Sequence, residues 1–173
     1  MGKPLKSDAD RVVEIVSDAG GRVVGRTRLQ KIAYLLEIAG VGEGFDFEYR
    51  HYGPYSDGLA TACIYASTFD LLKEEEHETN WGGTYSIFTT MRPSTAAANS
   101  ARVRLAQEAA KADPVELELA ATALFLHRDG YDEPWKETAA RKPDKAVGRI
   151  DKAKSLYNRL RAIQVPQKFP AIS

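Results

Sequence analysis

The sequence predicts a mostly α fold with a minor β component. Three observations carry this: apolar residues repeat at helical spacing over most of the chain, capping residues precede several of those runs, and one alternating segment folds about Gly82-Gly83. With 173 residues the chain has the length of about one domain, 1–173. Within it, 1–92 reads as a core, 93–163 as a C-terminal helical layer and 164–173 as a loose tail.

The first helix starts at Ser7, with Asp8 and Asp10 in its first turn, and buries Val12, Val13, Val16 and Ala19. Gly20-Gly21 ends it, and Val23-Val24 is a short extended link. Thr27 and Gln30 have the spacing of a capping box, opening a second helix with Leu29, Ile32, Ala33, Leu36 and Ala39 on one face. Phe45 to Tyr52 alternates as a strand does, and Gly53-Pro54 reads as a turn. Ser56 caps a third helix, whose face of Leu59, Ala62, Cys63, Ala66 and Phe69 leads into the acidic run Glu74-Glu75-Glu76. Residues 77–90 read as a β-hairpin about Gly82-Gly83.

Beyond the hairpin, Ser100 to Ala112 is an Ala-rich helix. Asp113-Pro114-Val115-Glu116 is a second capping box, and the helix it opens is apolar almost all round. Trp135 opens a short helix after Pro134, and a last helix spans about 145–163. Helix, short strand, helix, strand and turn, helix, hairpin is the order of a winged-helix-like core, with a two-stranded β-hairpin as the wing. A C-terminal three-helix layer would pack on it.

Charge and cysteine usage narrow the classes. There are 24 Lys and Arg against 24 Asp and Glu, which excludes a globally basic nucleic-acid coat and a disordered acidic tail. The longest apolar stretch, Leu119 to Leu126, is too short to span a bilayer. The charged start, Met1 to Arg11, lacks the apolar core of a signal peptide, and a lone Cys63 makes no intrachain disulfide. The expectation is a cytoplasmic protein.

Two stretches carry a family resemblance: Arg28-Leu29-Gln30-Lys31-Ile32-Ala33-Tyr34-Leu35-Leu36, and Tyr49-Arg50-His51-Tyr52-Gly53-Pro54-Tyr55-Ser56. They resemble the YwgA-like bacterial and archaeal proteins, which are related in pattern to the Panacea antitoxin domain of the SocA and GepA type. The likeness continues in Leu117 to Thr122, Asp129-Gly130-Tyr131 and Lys142-Pro143-Asp144-Lys145. It implies an antitoxin that neutralises a toxin by direct binding, or an adaptor for proteolysis, and no catalytic residues.

Candidate sites follow. Arg50, His51, Tyr52 and Tyr55 either pack around the turn or form an aromatic and cationic partner-binding patch, and Trp81 at the hairpin tip is folded back or exposed as an anchor. Arg22, Arg26, Arg28 and Lys31 cluster at the start of the second helix, against its dipole. Residues 133–168 hold 10 Lys and Arg against 4 Asp and Glu. Within them Arg141, Lys142, Lys145, Arg149 and Lys152 are the alternative, nucleic-acid-binding candidates, with Lys145, Arg149 and Lys152 on one face of the last helix. Head-to-tail pairing of copies is a further use of that charge. The third helix has no Arg, Asn or Gln after its start to read bases. Cys63 and the three His, at 51, 77 and 127, lack metal-ligand spacing, and no phosphate-binding or nucleophile motif is present. The sequence therefore predicts no enzyme, no cofactor and no metal. The leading expectation is a protein-binding, antitoxin-like or adaptor module; the alternative is a winged-helix transcriptional regulator.

Overall fold

The computed structural model describes residues 6–173, so the N-terminal part of the charged stretch Met1 to Arg11 lies outside the described residues. Helix α1 (Asp8–Asp18) begins as expected: the Ser7 hydroxyl accepts from the Asp10 N–H at 3.1 Å. Strand β1 (Arg22–Val24) leads to α2 (Arg26–Ile38). Here the capping-box reading is corrected. The residue before α2 is Gly25, at φ 98°, and no side chain caps the helix; Thr27 is already inside it and Gln30 is used elsewhere.

Strands β2 (Glu48–Arg50) and β3 (Gly53–Tyr55) pair antiparallel, Tyr49 opposite Pro54. The reversal therefore falls at His51-Tyr52, and Gly53-Pro54 is strand rather than turn. Helix α3 (Asp57–Thr68) is capped by Ser56, whose hydroxyl accepts from the Leu59 N–H at 3.1 Å. It stops short of the acidic run. Asp70, at φ 58°, reverses the chain and Glu74-Glu75-Glu76 enter strand β4 (Lys73–Glu78). Phe69, expected on the buried face, is consequently turned outward. Strand β5 (Thr84–Thr89) completes the hairpin, and β1 adds to its other side, giving the order β1-β5-β4. Three helices with a hairpin and a short third strand make the winged-helix-like core.

Helix α4 (Ala101–Lys111) is capped by Ser100, and α5 (Pro114–Arg128) by Asp113, whose carboxylate accepts from the Val115 and Glu116 N–H groups. Helix α5 packs on α2 as well as on α6 (Pro134–Arg141) and α8 (Ile150–Arg161). Its Leu117, Ala120, Ala121 and Leu124 lie in one apolar cluster with Leu29, Ile32 and Leu36 of α2. Arg102 of α4 ties this side to α1, pairing with Asp18 and with Glu43.

The expected last helix is broken. Short α7 (Pro143–Ala146) and α8 are separated at Gly148, φ 71°, and Val147, three residues before Ile150 and so on the apolar stripe that one unbroken helix would bury, is 78% exposed. The expected loose tail is docked instead. Phe169 is buried against Tyr157, the Gln167 N–H donates to the Ala39 carbonyl at 2.9 Å, and the Tyr157 hydroxyl donates to the Pro170 carbonyl at 2.5 Å. Trp135 is core, edge-on to Tyr157. No helix among the described residues is long and apolar enough to cross a membrane.

Candidate functional site

The two sequence motifs meet in space. Gln30 of α2 clamps Ser56: its amide nitrogen donates to the Ser56 carbonyl at 3.0 Å, and its side-chain oxygen accepts from the Ser56 N–H at 2.8 Å. One residue on, the Lys31 ammonium donates to the Pro54 carbonyl at 2.7 Å. Buried backbone groups need partners, and these two side chains provide them for the strand leading into α3. The pairing fixes the angle at which α3 leaves the β2–β3 unit.

Lys31 is 1% exposed. Burial pushes its pKa down to about 7; the Glu118 carboxylate pulls it up, and Lys142 and Lys145 push it down further. Glu118 of α5 is itself buried and is shared by two other lysines: Lys145 Nζ at 2.7 Å and Lys142 Nζ at 3.3 Å. Lys142 also donates to the His51 carbonyl at 3.2 Å, and Lys145 Nζ sits 4.6 Å above the Tyr52 ring. Gly53, at φ 88°, lets the hairpin come this close: a Cβ there would lie 2.4 Å from Thr122 Oγ1 of α5.

Between α2, α3 and this anchored hairpin lies a mostly apolar cleft of about 380 Å³. Leu29, Leu59, Ile64 and Phe88 line it, with Tyr52 and Tyr55 on one side and the Arg26–Glu74 ion pair, 2.7 Å, on the other. Cys63 and Lys31 also contribute to its wall. Burial pushes the Cys63 thiol up to about 12, so it is a neutral, unreactive wall residue. A lysine held near neutrality can act as a nucleophile, but here the nitrogen is engaged by the Pro54 carbonyl.

Of the partner-binding candidates, the structure brings Tyr52 and Tyr55 together in the cleft. Arg50 faces away into pairs with Glu48 and with Asp57, the latter at 2.8 Å. His51 is exposed with its ring edge-on to Tyr52. Trp81, 84% exposed, stands at the tip of the hairpin and is not part of the cleft wall. Sequence reasoning missed the neighbours that matter here. Ile64 and Phe69 are 65% and 67% exposed, and Tyr65 is exposed and stacked on Phe69. The signal available was that Ile64, Tyr65 and Thr68 lie off the face of Leu59, Ala62, Cys63 and Ala66; Phe69 shares that face by spacing, and only the end of the helix at Thr68 turns it outward.

The basic candidates do not form one surface. The break at Gly148 removes the common helix face of Lys145, Arg149 and Lys152. Lys142 and Lys145 are held by Glu118, Arg149 lies 3.7 Å from Asp113, and Lys152 lies on α8. Arg141 lies 4.7 Å from the Tyr49 ring centre and pairs with Glu137 at 2.8 Å, which raises its pKa. The cluster expected at the start of α2 also disperses. Arg26 pairs with Glu74, Arg28 donates to the Val24 and Ala112 carbonyls, and Lys31 is buried. No group of three or more His, Cys, Asp or Glu among the described residues is placed to hold a metal ion. No family model matches the chain, and no curated protein matches it.

Proposed function

We propose that this chain is a non-enzymatic protein-binding module, of the antitoxin-like or adaptor kind that the motif resemblance implies, and that it holds its partner at the cleft between α2 and α3. One observation carries the reading: Ile64 of α3 stands exposed in the wall of an apolar cleft bordered by Tyr52 and Tyr55, and Tyr65 beside it is exposed and stacked on Phe69 at the end of the helix. Contiguous apolar surface of this kind marks interaction sites, and Tyr is favoured among the residues that dominate binding energy. In a winged helix that reads DNA, α3 would enter the major groove. Here its outward face offers aliphatic and aromatic groups, and the adjoining strand β4 carries four glutamates, which repel phosphate. Trp81 supplies a second contact from the hairpin tip, and His51 one beside Tyr52.

The test is a tagged pull-down from the native host, at low and high salt and with nuclease treatment in parallel. The expected result is one stoichiometric protein that survives nuclease and is lost from a variant carrying Ile64→Ser and Phe69→Ser. Recovery of nucleic acid alone, released at high salt, would overturn the reading and make the basic C-terminal residues the working surface.

A further inference from the structure

A second pocket, of about 280 Å³, lies between the C-terminal ends of α2 and α5 and the segment leading into β2. Among the described residues it shares no lining side chain with the cleft between α2 and α3. One wall is aromatic: Tyr34 stands edge-on to Phe47, ring centres 5.3 Å apart, and tilted against Phe125 at 6.0 Å. Three carboxylates border it, Glu37 in the last turn of α2, Asp46 before β2 and Asp129 at the end of α5. None of the three joins an ion pair among the described residues. Glu37 accepts from the Gly44 N–H at 2.7 Å, a neutral donor. Arg128 is the only cation in the lining among the described residues, so two negative charges are left over. Two helix C-termini add the negative ends of their dipoles to the same place.

An independent observation points to a ligand here. Tyr34 is 2% exposed, yet its hydroxyl makes no hydrogen bond among the described residues. Burial pushes its pKa up, so it is a neutral hydroxyl with acceptor capacity unused. Leaving such a group without a partner costs free energy, and the pocket that Tyr34 lines is where one can reach it. We propose that this pocket binds a small alkyl diamine, its ammonium groups held by Asp46, Asp129 and the Tyr34 hydroxyl and its methylene chain laid on the rings of Phe47 and Phe125. Each part of the site selects one part of that ligand. The leftover charge matches two ammonium groups, the hydroxyl takes an N–H, and the rings attract both the cation and the chain. The volume lies just below the usual range for small-molecule sites, which starts at about 300 Å³, and so suits a compact ligand. A bare metal ion is disfavoured, because no three acidic, His or Cys side chains among the described residues are placed to hold one. The site stands beside the protein-binding reading and does not depend on it.

The experiment is calorimetric titration of the full chain at low salt with 1,4-diaminobutane, 1-aminobutane, 1,4-butanediol and tetramethylammonium. The diamine is expected to bind at least about tenfold more tightly than the monoamine, and the diol and the quaternary ion are expected not to bind measurably. Asp46→Asn with Asp129→Asn changes two exposed side chains and is expected to abolish diamine binding with the circular dichroism unchanged. Tyr34→Phe keeps the ring, removes the hydroxyl and is expected to weaken binding about tenfold. Glu75→Gln with Glu78→Gln, on β4 and outside the pocket, is expected to leave binding as it is. Equal binding of diamine and monoamine would overturn the inference, since charge would then select nothing. Binding of the quaternary ion as tightly as the diamine would overturn the role of the Tyr34 hydroxyl and with it the inference. Diamine binding that survives the Asp46 and Asp129 substitutions, or is lost with Glu75 and Glu78, would place the contact elsewhere and overturn it too. Binding of none of the four would overturn it and leave the protein-binding reading standing.

Discussion

Replacing Lys31 by Met should change how stability depends on pH more than it changes the fold. The amine is buried under Pro54 and its pKa falls from 10.5 to about 7 in the folded chain. A lysine whose folded pKa is depressed holds fewer protons folded than unfolded between those two values. Stability therefore rises with pH through that window; below it the full penalty is present, and above it the penalty is gone. At about 1.4 kcal/mol per pKa unit the whole penalty is roughly 5 kcal/mol, of which about 3 kcal/mol is recovered between pH 7 and about pH 9.5. Met keeps most of the aliphatic volume but has no proton to lose, and it leaves the Pro54 carbonyl without its donor, a cost of about 1–3 kcal/mol at every pH. The assay is urea denaturation followed by circular dichroism, for both chains, at several pH values across that window. Other groups titrating there, Cys63 among them, cancel in the difference. The wild-type curve should climb relative to Lys31→Met by about 3 kcal/mol. Parallel curves would refute the argument, showing that Lys31 stays charged in the folded chain.

Three further substitutions test the surroundings. Gly53→Ala places a methyl against Thr122 Oγ1 at a backbone angle of φ 88°, and should cost about 2–4 kcal/mol in urea denaturation; Thr122→Ala in the same chain should recover part of it. Glu118→Gln leaves the buried Lys142 without its counter-charge and should cost about 3–5 kcal/mol, seen as a lower denaturation midpoint and, because Lys142 also holds the His51 carbonyl, as faster hydrogen exchange around residues 48–55. Phe169→Ala opens a hole beside Tyr157 and should cost about 3–5 kcal/mol by the same denaturation assay, where an undocked tail would show no change.

What could be seen in advance was mostly local. Helix α5 was legible because Asp113-Pro114 marks its start and its faces are apolar almost all round, and the wing because Gly82-Gly83 sits between alternating residues. What failed was decided by contacts distant in sequence. Nothing near Glu74 says strand: it is the register with β5, Glu74 opposite Phe88, that draws the acidic run into the sheet. The lysine face on the last helix failed at Gly148, a single residue that changes the direction of the chain. At the candidate site Tyr52 and Tyr55 were found through their turn. The burial of Lys31 was invisible, because a lysine next to arginines at a helix start reads as solvated charge. Its relation to Pro54 could not be read from either stretch alone, because one provides the donors and the other the carbonyls.

The acidic edge of the wing has an effect on copies of the same chain. Strand β4 has one unpaired side, and an open edge of six residues is long enough to recruit another strand. An identical neighbour would bring the same four glutamates and single lysine to the seam, so two strands of net negative charge would repel each other across it. The opposite edge, β1, is only three residues long and offers little to pair with. The chain thus keeps its sheet from growing by addition of itself at the very edge it leaves open, and a strand whose own charges were positive would not meet that barrier.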